Sequence, residues 1–183
     1  MASVFVSHSK LDEREKNFFS NVAAKAGFKT YMMEWESLAN EYSGQRIADI
    51  IRSRWIEDVR VVVVLLGQNL QYPPSPQYTH NWVNFEVGVA SGANKPVMIL
   101  EPIGINVEFP IPWLTDYYQY EFDNVSDLQK IGEIIQYYIT NGFRKTESWF
   151  KCPNKNCNAE YHLWKRYNNY MNCPSCRTQI NFQ

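Results

Sequence analysis

Arg60-Val-Val-Val-Val-Leu-Leu66 is the stretch of sequence that decides the fold class. A run of branched aliphatic residues without polar alternation is typical of a strand that is covered on both faces, as in the centre of a parallel sheet. Parallel neighbours require crossover connections, and these are usually helices. The stretch therefore predicts an α/β fold with this strand at the centre of the sheet.

Strand and helix patterns alternate on both sides of this run. A helix is expected to begin after Ser9, which together with Asp12 resembles a capping box, and to end at Gly27. The predicted strands are 4–7, 28–33, 60–66, 96–100 and 117–122, and the further predicted helices are 47–58, 81–92 and 127–140. Five strands that alternate with helices predict an open parallel sheet.

Polar segments follow the first two predicted strands. They are Ser7 to Lys10 and the loop from Glu34 to Ser43. The ligand site of an open parallel sheet lies beyond the carboxyl ends of its strands. Both segments are therefore candidates for ligand binding.

The composition is that of a folded protein. The chain has 183 residues, of which 45% are hydrophobic and 20% charged, and this excludes disorder as a global description. Its longest apolar run, Val61 to Leu66, is far shorter than the ~18 to 20 residues that span a bilayer. No basic and apolar leader is present, so we expect a soluble, cytoplasmic protein without a membrane partner.

The four cysteines predict a metal site. Cys152 and Cys157 form one close pair, Cys173 and Cys176 form another, and fifteen residues separate the pairs. This spacing is typical of a structural zinc ion held by four thiolates, with two disulfides as the alternative. Such a short segment needs the metal in order to fold. The predicted organisation is a domain over residues 1–140, a linker over 141–149 and a zinc-ribbon-like module over 150–183.

The predicted ribbon also carries a weak signal for nucleic-acid binding. The whole chain has a formal net charge of -1, but the segment from Phe150 onward has five basic residues and one acid. Aromatic residues interleave with Lys165 and Arg166, namely Tyr161, Trp164, Tyr167 and Tyr170. This mixture can stack on bases and neutralise phosphates. It is more typical of a small ribbon whose aromatic residues cover the metal.

Trp82 and Glu86 are four residues apart in a predicted helix, so both lie on one helical face. Glu86 is the sole acid of a largely apolar segment. This glutamate has two interpretations, a surface or partly buried helix residue and a functional carboxylate.

Several segments together resemble the Toll/interleukin-1 receptor (TIR) domain family over residues 3 to 140. They are Val4-Phe-Val-Ser-His-Ser9 with Asp12, the run Val61 to Leu66 with Gly67-Gln-Asn-Leu70, Trp82-x-x-x-Glu86 with Gly88, and Lys95-Pro-Val-Met-Ile-Leu100. No single segment is specific, whereas their order and spacing on an alternating α/β pattern are. The resemblance implies a flavodoxin-like, five-stranded parallel sheet flanked by helices.

The resemblance also implies an activity. Prokaryotic and plant members of the family cleave NAD between nicotinamide and ribose, and the glutamate of their W-x-x-x-E motif, which corresponds to Glu86, is catalytic. Nicotinamide is already a cationic leaving group, so the reaction requires stabilisation of an oxocarbenium-like ribosyl centre more than it requires an acid. The implied protein is an NAD glycohydrolase or ADP-ribosyl cyclase that needs no catalytic metal.

Other residues are candidates for binding NAD. Ser7, His8 and Ser9 would place hydroxyl and backbone N–H groups near the diphosphate. An indole, from Trp82 or Trp35, would pack against the pyridinium ring. Core packing is the alternative role for Trp82, and His8 is expected to bind or support rather than to act as a base.

The resemblance implies partners as well. Family members act after self-association through their TIR domains, and a chain without an evident effector domain would signal to a separate effector protein in antiviral or stress immunity. Residues Pro73 to Thr79 are expected to form an inserted loop or a lid.

Two further functions remain open. One is a non-catalytic TIR interaction module whose ribbon binds a protein or nucleic acid. The other is an enzyme similar to nucleoside deoxyribosyltransferases, which use a glutamate at a ribosyl centre.

Overall fold

The computed structural model describes residues 3–32, 49–50, 53, 59–71, 76–105, 115–142, 149–165, 170–173 and 176–181. The nine strands in these ranges are Ser3–Ser7 (β1), Lys29–Met32 (β2), Val59–Leu65 (β3), Val97–Pro102 (β4), Thr115–Tyr120 (β5), Trp149–Lys151 (β6), Glu160–Lys165 (β7), Tyr170–Asn172 (β8) and Gln179–Asn181 (β9). The four helices are Glu13–Ala26 (α1), Gln68–Gln71 (α2), Pro76–Gly92 (α3) and Val125–Asn141 (α4). No helix in the described ranges has both the length and the hydrophobicity needed to cross a bilayer.

The first five strands form a parallel sheet in the order β2-β1-β3-β4-β5. The aliphatic strand β3 lies at its centre, and every β3 residue except Arg60 is buried. The α/β fold with five parallel strands flanked by helices is therefore confirmed. The order in which strands are added to the sheet reverses between β1 and β3. Strand β2 lies on one side of β1, whereas β4 lies on the far side of β3.

Alternate residues of the strands enter two separate cores. Phe5, Val62 and Val64 belong to the core that contains Val83 and Val87 of α3. The other side chains of the same strands, such as Val4, Val6 and Val63, pack with the buried residues of α1 and α4. The sheet is thus covered on both faces, as the uninterrupted apolar pattern of β3 requires.

The ends of the first helix follow from local chemistry in part. Gly27 adopts a left-handed conformation with φ of 75°, and its N–H donates to the carbonyl of Ala23, which confirms the predicted C-terminal cap. The predicted capping box is wrong. Asp12 occupies the N-cap position and its side chain does not cap the helix, because its carboxylate accepts hydrogen bonds from Asn69 instead.

Two further element boundaries differ from the prediction. Helix α3 begins at Pro76, so residues 76–79 are helical and are not part of an inserted loop or lid. Proline is well tolerated in the first turn of a helix, where its missing N–H has no partner to lose. Strand β5 is Thr115–Tyr120, two residues earlier than expected. The predicted helix over 47–58 and the loop from Glu34 to Ser43 lie outside the described residues, apart from 49–50 and 53.

The cysteine-containing segment continues the main sheet. Strand β7 pairs with β5 in parallel and with β6 in antiparallel fashion, which extends the sheet to seven strands. Strands β8 and β9 form a separate two-stranded sheet. Cys152 and Cys173 belong to the same core as Phe5 and Val87. The division into a domain, a linker and a ribbon stays a prediction, since residues 143–148 of the linker are outside the described part.

Candidate functional site

The predicted catalytic glutamate is buried between α3 and the first strand. Glu86 is 9% exposed and lies on the face of α3 that carries Val83 and Val87. Ser7, the last residue of β1, is 1% exposed and donates a 2.5 Å hydrogen bond from Oγ to Oε2 of Glu86. The fold therefore joins two sequence-predicted site residues that are 79 positions apart.

Burial changes the ionisation of this carboxyl group. The loss of hydration raises the pKa of Glu86 to about 7, and the hydrogen bond from Ser7 opposes this by stabilising the charged form. A carboxyl group with a pKa near 7 ionises within the physiological range, and a cationic ligand beside it would favour the carboxylate. Glutamates tuned in this way are typical of catalytic sites.

Removal of the Ser7 hydroxyl should raise the pKa of Glu86 further. Ser7→Ala deletes a donor that favours the carboxylate, so ionisation will require a higher pH than in the wild type. The shift is measured by NMR titration of the glutamate side-chain carbon. Ser20→Ala, which removes an exposed hydroxyl from α1, is the matched control. If the titration midpoint of Glu86 is unchanged or lower in Ser7→Ala, the Ser7 hydroxyl does not stabilise the carboxylate.

One carboxylate joins the segments that follow β1 and β3, at the position where the strand order reverses. Oδ1 of Asp12, after β1, accepts hydrogen bonds from the backbone N–H (2.9 Å) and Nδ2 (2.7 Å) of Asn69, after β3. These two strands lead to helices on opposite faces of the sheet, and crevices at such positions bind ligands in open α/β folds. The Asp12–Asn69 contact thus holds together the segments that follow β1 and β3 and border the crevice.

Gly67 makes this contact possible. A Cβ atom at this position would overlap the carboxyl group of Asp12, so the Gly67→Ala variant should be destabilised by about 1 to 3 kcal/mol. Gly88→Ala on α3 is the control, because nothing lies within 4 Å of its added Cβ. Its stability should be unchanged or slightly raised. Urea denaturation of both variants tests the difference, and equal stabilities would contradict it.

A cleft of about 570 Å³ opens at the carboxyl edge of the sheet, on the side of α1. Its lining includes Arg14, whose guanidinium stacks on Phe122 at 3.9 Å. The acids of the lining outnumber this cation and are Asp12, Glu13, Glu15, Glu121 and Asp123. Burial raises the pKa of Glu15 and of Asp12. The described lining therefore favours cationic groups or hydrogen-bond donors over phosphates.

The other sequence-predicted binding residues have different positions. Nδ1–H of His8 donates to the backbone carbonyl of Ser9 at 3.0 Å, and the buried Ser9 hydroxyl accepts a hydrogen bond from the N–H of Leu11 at 3.4 Å. Both contacts shape the turn after β1. Trp35 and the side chain of Trp82 lie outside the described part of the chain, so their roles stay predictions.

Sequence reasoning missed a second buried carboxylate. Glu101 is 7% exposed near the end of β4, and it accepts a hydrogen bond from the hydroxyl of Tyr117 on β5. A signal was present, since Glu101 is an acid within a strand whose preceding residues are all apolar. Its partner was not readable, because the contact depends on the register between β4 and β5.

The cysteines form a cluster that can hold a metal ion. Their four Sγ atoms all lie within 4.8 Å of one another. Cys152 and Cys176 are 3.5 Å apart at sulfur, and Cys157 and Cys173 are 3.8 Å apart. Four thiolates at ~2.3 Å from one zinc ion would be separated by about 3.8 Å. The cluster is consistent with a zinc site, and all four cysteines are free of disulfides.

Neighbouring polar groups support the sulfurs. Thr178 Oγ1 lies 3.2 Å from Sγ of Cys176, and Asn154 Nδ2 lies 3.1 Å from that same Thr178 oxygen. Backbone hydrogen bonds hold the turns, including those from the N–H of Cys157 to Asn154 and from the N–H of Cys173 to Thr178. Hydrogen bonds around the ligands orient them and tune a metal centre.

Neither a protein-family model nor a curated protein matches the chain. Several solved structures resemble it, among them the CMP N-glycosidase BcmB from Clostridium botulinum. That structure shares 15% sequence identity with the chain at a TM-score of 0.37, and the match covers 70% of this chain and 97% of the other. Function is therefore inferred from the residues around Glu86.

Proposed function

We propose that the protein is an enzyme that cleaves the N-glycosidic bond of a nucleotide, with NAD as its substrate and Glu86 as its catalytic carboxylate. The observation that carries the proposal is the buried Glu86, with a pKa of about 7 and a hydrogen bond from Ser7. Both residues belong to elements that border the crevice beside β1 and β3.

Glu86 would act by electrostatic stabilisation. As the bond to nicotinamide breaks, positive charge moves from the pyridinium ring onto the ribosyl centre, and an adjacent carboxylate stabilises it. The interaction is strong because the site is buried and weakly screened. Ser7 holds the carboxylate in one orientation, which reduces the reorganisation needed during the reaction.

The resemblance to TIR domains supports NAD as the substrate. The bond to a cationic base is the one that a single carboxylate, without a strong general acid, is best able to cleave. Water at the ribosyl centre would produce ADP-ribose, whereas an internal nucleophile would produce a cyclic isomer. Within the proposal, the product is a messenger of antiviral or stress immunity in the cytoplasm, read by a separate effector protein.

The cysteine cluster has a structural role in this proposal. Zinc is the metal that four thiolates at tetrahedral spacing favour, and a closed shell of four ligands leaves no position for a substrate. The ion would therefore stabilise the fold, while self-association through the TIR domain would complete the active form.

The test is incubation of the full chain with NAD at low and high protein concentration, followed by mass spectrometry of the products. We expect free nicotinamide, with a specific activity that increases on self-association. CMP and deoxynucleosides are tested in parallel, because Glu86 and Ser7 suit a ribosyl centre whatever its base. Cleavage of the deoxynucleosides but not of NAD would support the deoxyribosyltransferase-like alternative, whereas cleavage of CMP but not of NAD would replace only the proposed substrate. No cleavage at any concentration would leave the non-catalytic interaction module.

A further inference from the structure

A second carboxylate lies on the same face of the sheet as Glu86. The side chains of Ser7, Ile99 and Tyr117 share this face, since strand residues alternate and Phe5, Ile99 and Tyr117 belong to the core beneath α3. Glu101 is two residues beyond Ile99 on β4 and therefore points to the same side. Two buried glutamates thus approach one face, Glu86 from the helix and Glu101 from the sheet.

Strand register gives the separation of the two positions. Ser7 and Ile99 are both register partners of Val64, so β1 and β4 flank β3 at the same level. Two strand spacings amount to about 10 Å, and Glu101 lies about 7 Å further toward the carboxyl edge. A nucleoside can span such a distance. Glu101 is accordingly placed beyond Ser7 and Glu86, toward the edge where ligands of this fold bind.

The hydrogen bond between Tyr118 and Asp127 is a structural contact that can be compared with the one between Tyr117 and Glu101. The hydroxyl of Tyr118 donates to Oδ1 of Asp127 at 2.9 Å, and Oδ2 of Asp127 accepts from the N–H of Glu121 at 3.0 Å. Asp127 thereby ties the first turn of α4 to β5, on the opposite face of the sheet. Tyr117 and Tyr118 are equally buried and both donate to a carboxylate. Only the Tyr117 contact is on the Glu86 side.

We propose that Glu101, oriented by Tyr117, is a second substrate-binding residue of the Glu86 site. A carboxylate accepts hydrogen bonds and repels phosphates. Glu101 therefore binds O–H or N–H donors on the sugar or base. Glu101 thereby determines which end of the nucleotide enters the site, and the phosphates are directed away from β4. This inference rests on the proposed function.

The experiment compares Glu101→Gln and Tyr117→Phe with Tyr118→Phe. For NAD cleavage, Glu101→Gln should raise KM by about ten- to a hundredfold, with a smaller effect on kcat, because a hydrogen bond to a charged group is lost. Tyr117→Phe should raise KM in the same direction. Tyr118→Phe loses a comparable buried hydrogen bond and should leave KM unchanged. Calorimetric titration of NAD into a variant that also carries Glu86→Gln reads binding without turnover.

A second substrate identifies the donor. Nicotinic acid adenine dinucleotide lacks the amide N–H groups of NAD and carries a carboxylate in their place. If Glu101 contacts the base, the wild type will discriminate against this compound and Glu101→Gln will reduce the discrimination. If Glu101 contacts the ribose, the variant will weaken both dinucleotides equally. Either result supports the assignment.

Two other results would overturn it, and they are distinguishable. If the wild type cleaves NAD and all three variants have the KM of the wild type, Glu101 does not bind the substrate and the proposed function stands. If the wild type neither binds nor cleaves any of the nucleotides, the proposed function and this inference fail together.

Discussion

Replacement of Glu86 with Gln should lower the rate of NAD cleavage by about 10²- to 10⁴-fold. The amide has nearly the same shape as the carboxyl group but carries no negative charge, so the ribosyl cation loses its stabilisation. The wild-type rate should rise as the pH increases through about 7, because the carboxylate is the active form. The variant should lose this pH dependence along with its activity. Both effects are measured by nicotinamide release between pH 5 and pH 9.

The same substitution should increase stability at alkaline pH. The pKa of Glu86 is about 7 in the fold against an ordinary value of 4.5, so burial favours the neutral form. Its contribution is fully present below pH 4.5 and is lost as the pH rises through 7. Above that pH the cost to the wild type is about 3 kcal/mol. Glu86→Gln should therefore be more stable than the wild type at pH 8, with little difference at pH 4.

Glu133→Gln is the control for the loss of a charge, because Glu133 lies on the exposed side of α4. It should retain wild-type activity at each pH. Thermal unfolding of the three proteins shows whether the inactive variant is folded. If Glu86→Gln cleaves NAD at the wild-type rate, the glutamate is not catalytic and the interaction module becomes the better explanation.

Removal of the metal from the cysteine cluster should destabilise the parallel sheet as well as the ribbon. Without the ion nothing holds the four sulfurs together, and the short segment around them buries too little apolar surface to fold unaided. Strand β7 would then separate from β5, and Thr115 to Tyr118 would lose their pairing on that side of the sheet. We expect the Tm to fall by about 10 °C, which corresponds to several kcal/mol for a chain of this size.

The measurement combines zinc release with hydrogen exchange. Treatment with a strong chelator should release one zinc ion per chain and increase the exchange of amides in β5 and β7. Cys173→Ser, which replaces a fully buried ligand, should have the same effect. Lys155→Ala changes an exposed residue of the turn between Cys152 and Cys157 and serves as its control. If metal-free protein retains the wild-type Tm and slow exchange in β5, the cluster does not support the sheet.

Features that depend on neighbours in the sequence were predicted correctly. The apolar pattern of β3 indicated a central strand, and Gly27 indicated the end of α1. The paired spacing of the cysteines indicated a common site, which the clustered sulfur atoms bear out. In each case the signal is contained in the residue types or the spacing of one short segment of the chain.

Features that depend on competition between partners were predicted poorly. Asp12 has a residue type suited to helix capping, but its carboxylate binds Asn69 across the crevice. The composition of the cysteine segment likewise gave no sign that β7 would pair with β5 and extend the sheet. A local pattern cannot show these choices, because each depends on which group another segment brings within reach.

The amino-acid sequence by itself determined the alternation of strands and helices, the central strand and the residue types available for chemistry. Only the tertiary structure decided that Ser7 meets Glu86, that Tyr117 meets Glu101 and that the carboxyl group of Glu86 has a pKa of about 7. The physical reason is that secondary structure follows from short-range sterics and hydrophobic periodicity. Ionisation and hydrogen bonding instead depend on burial and on groups that strand register places together.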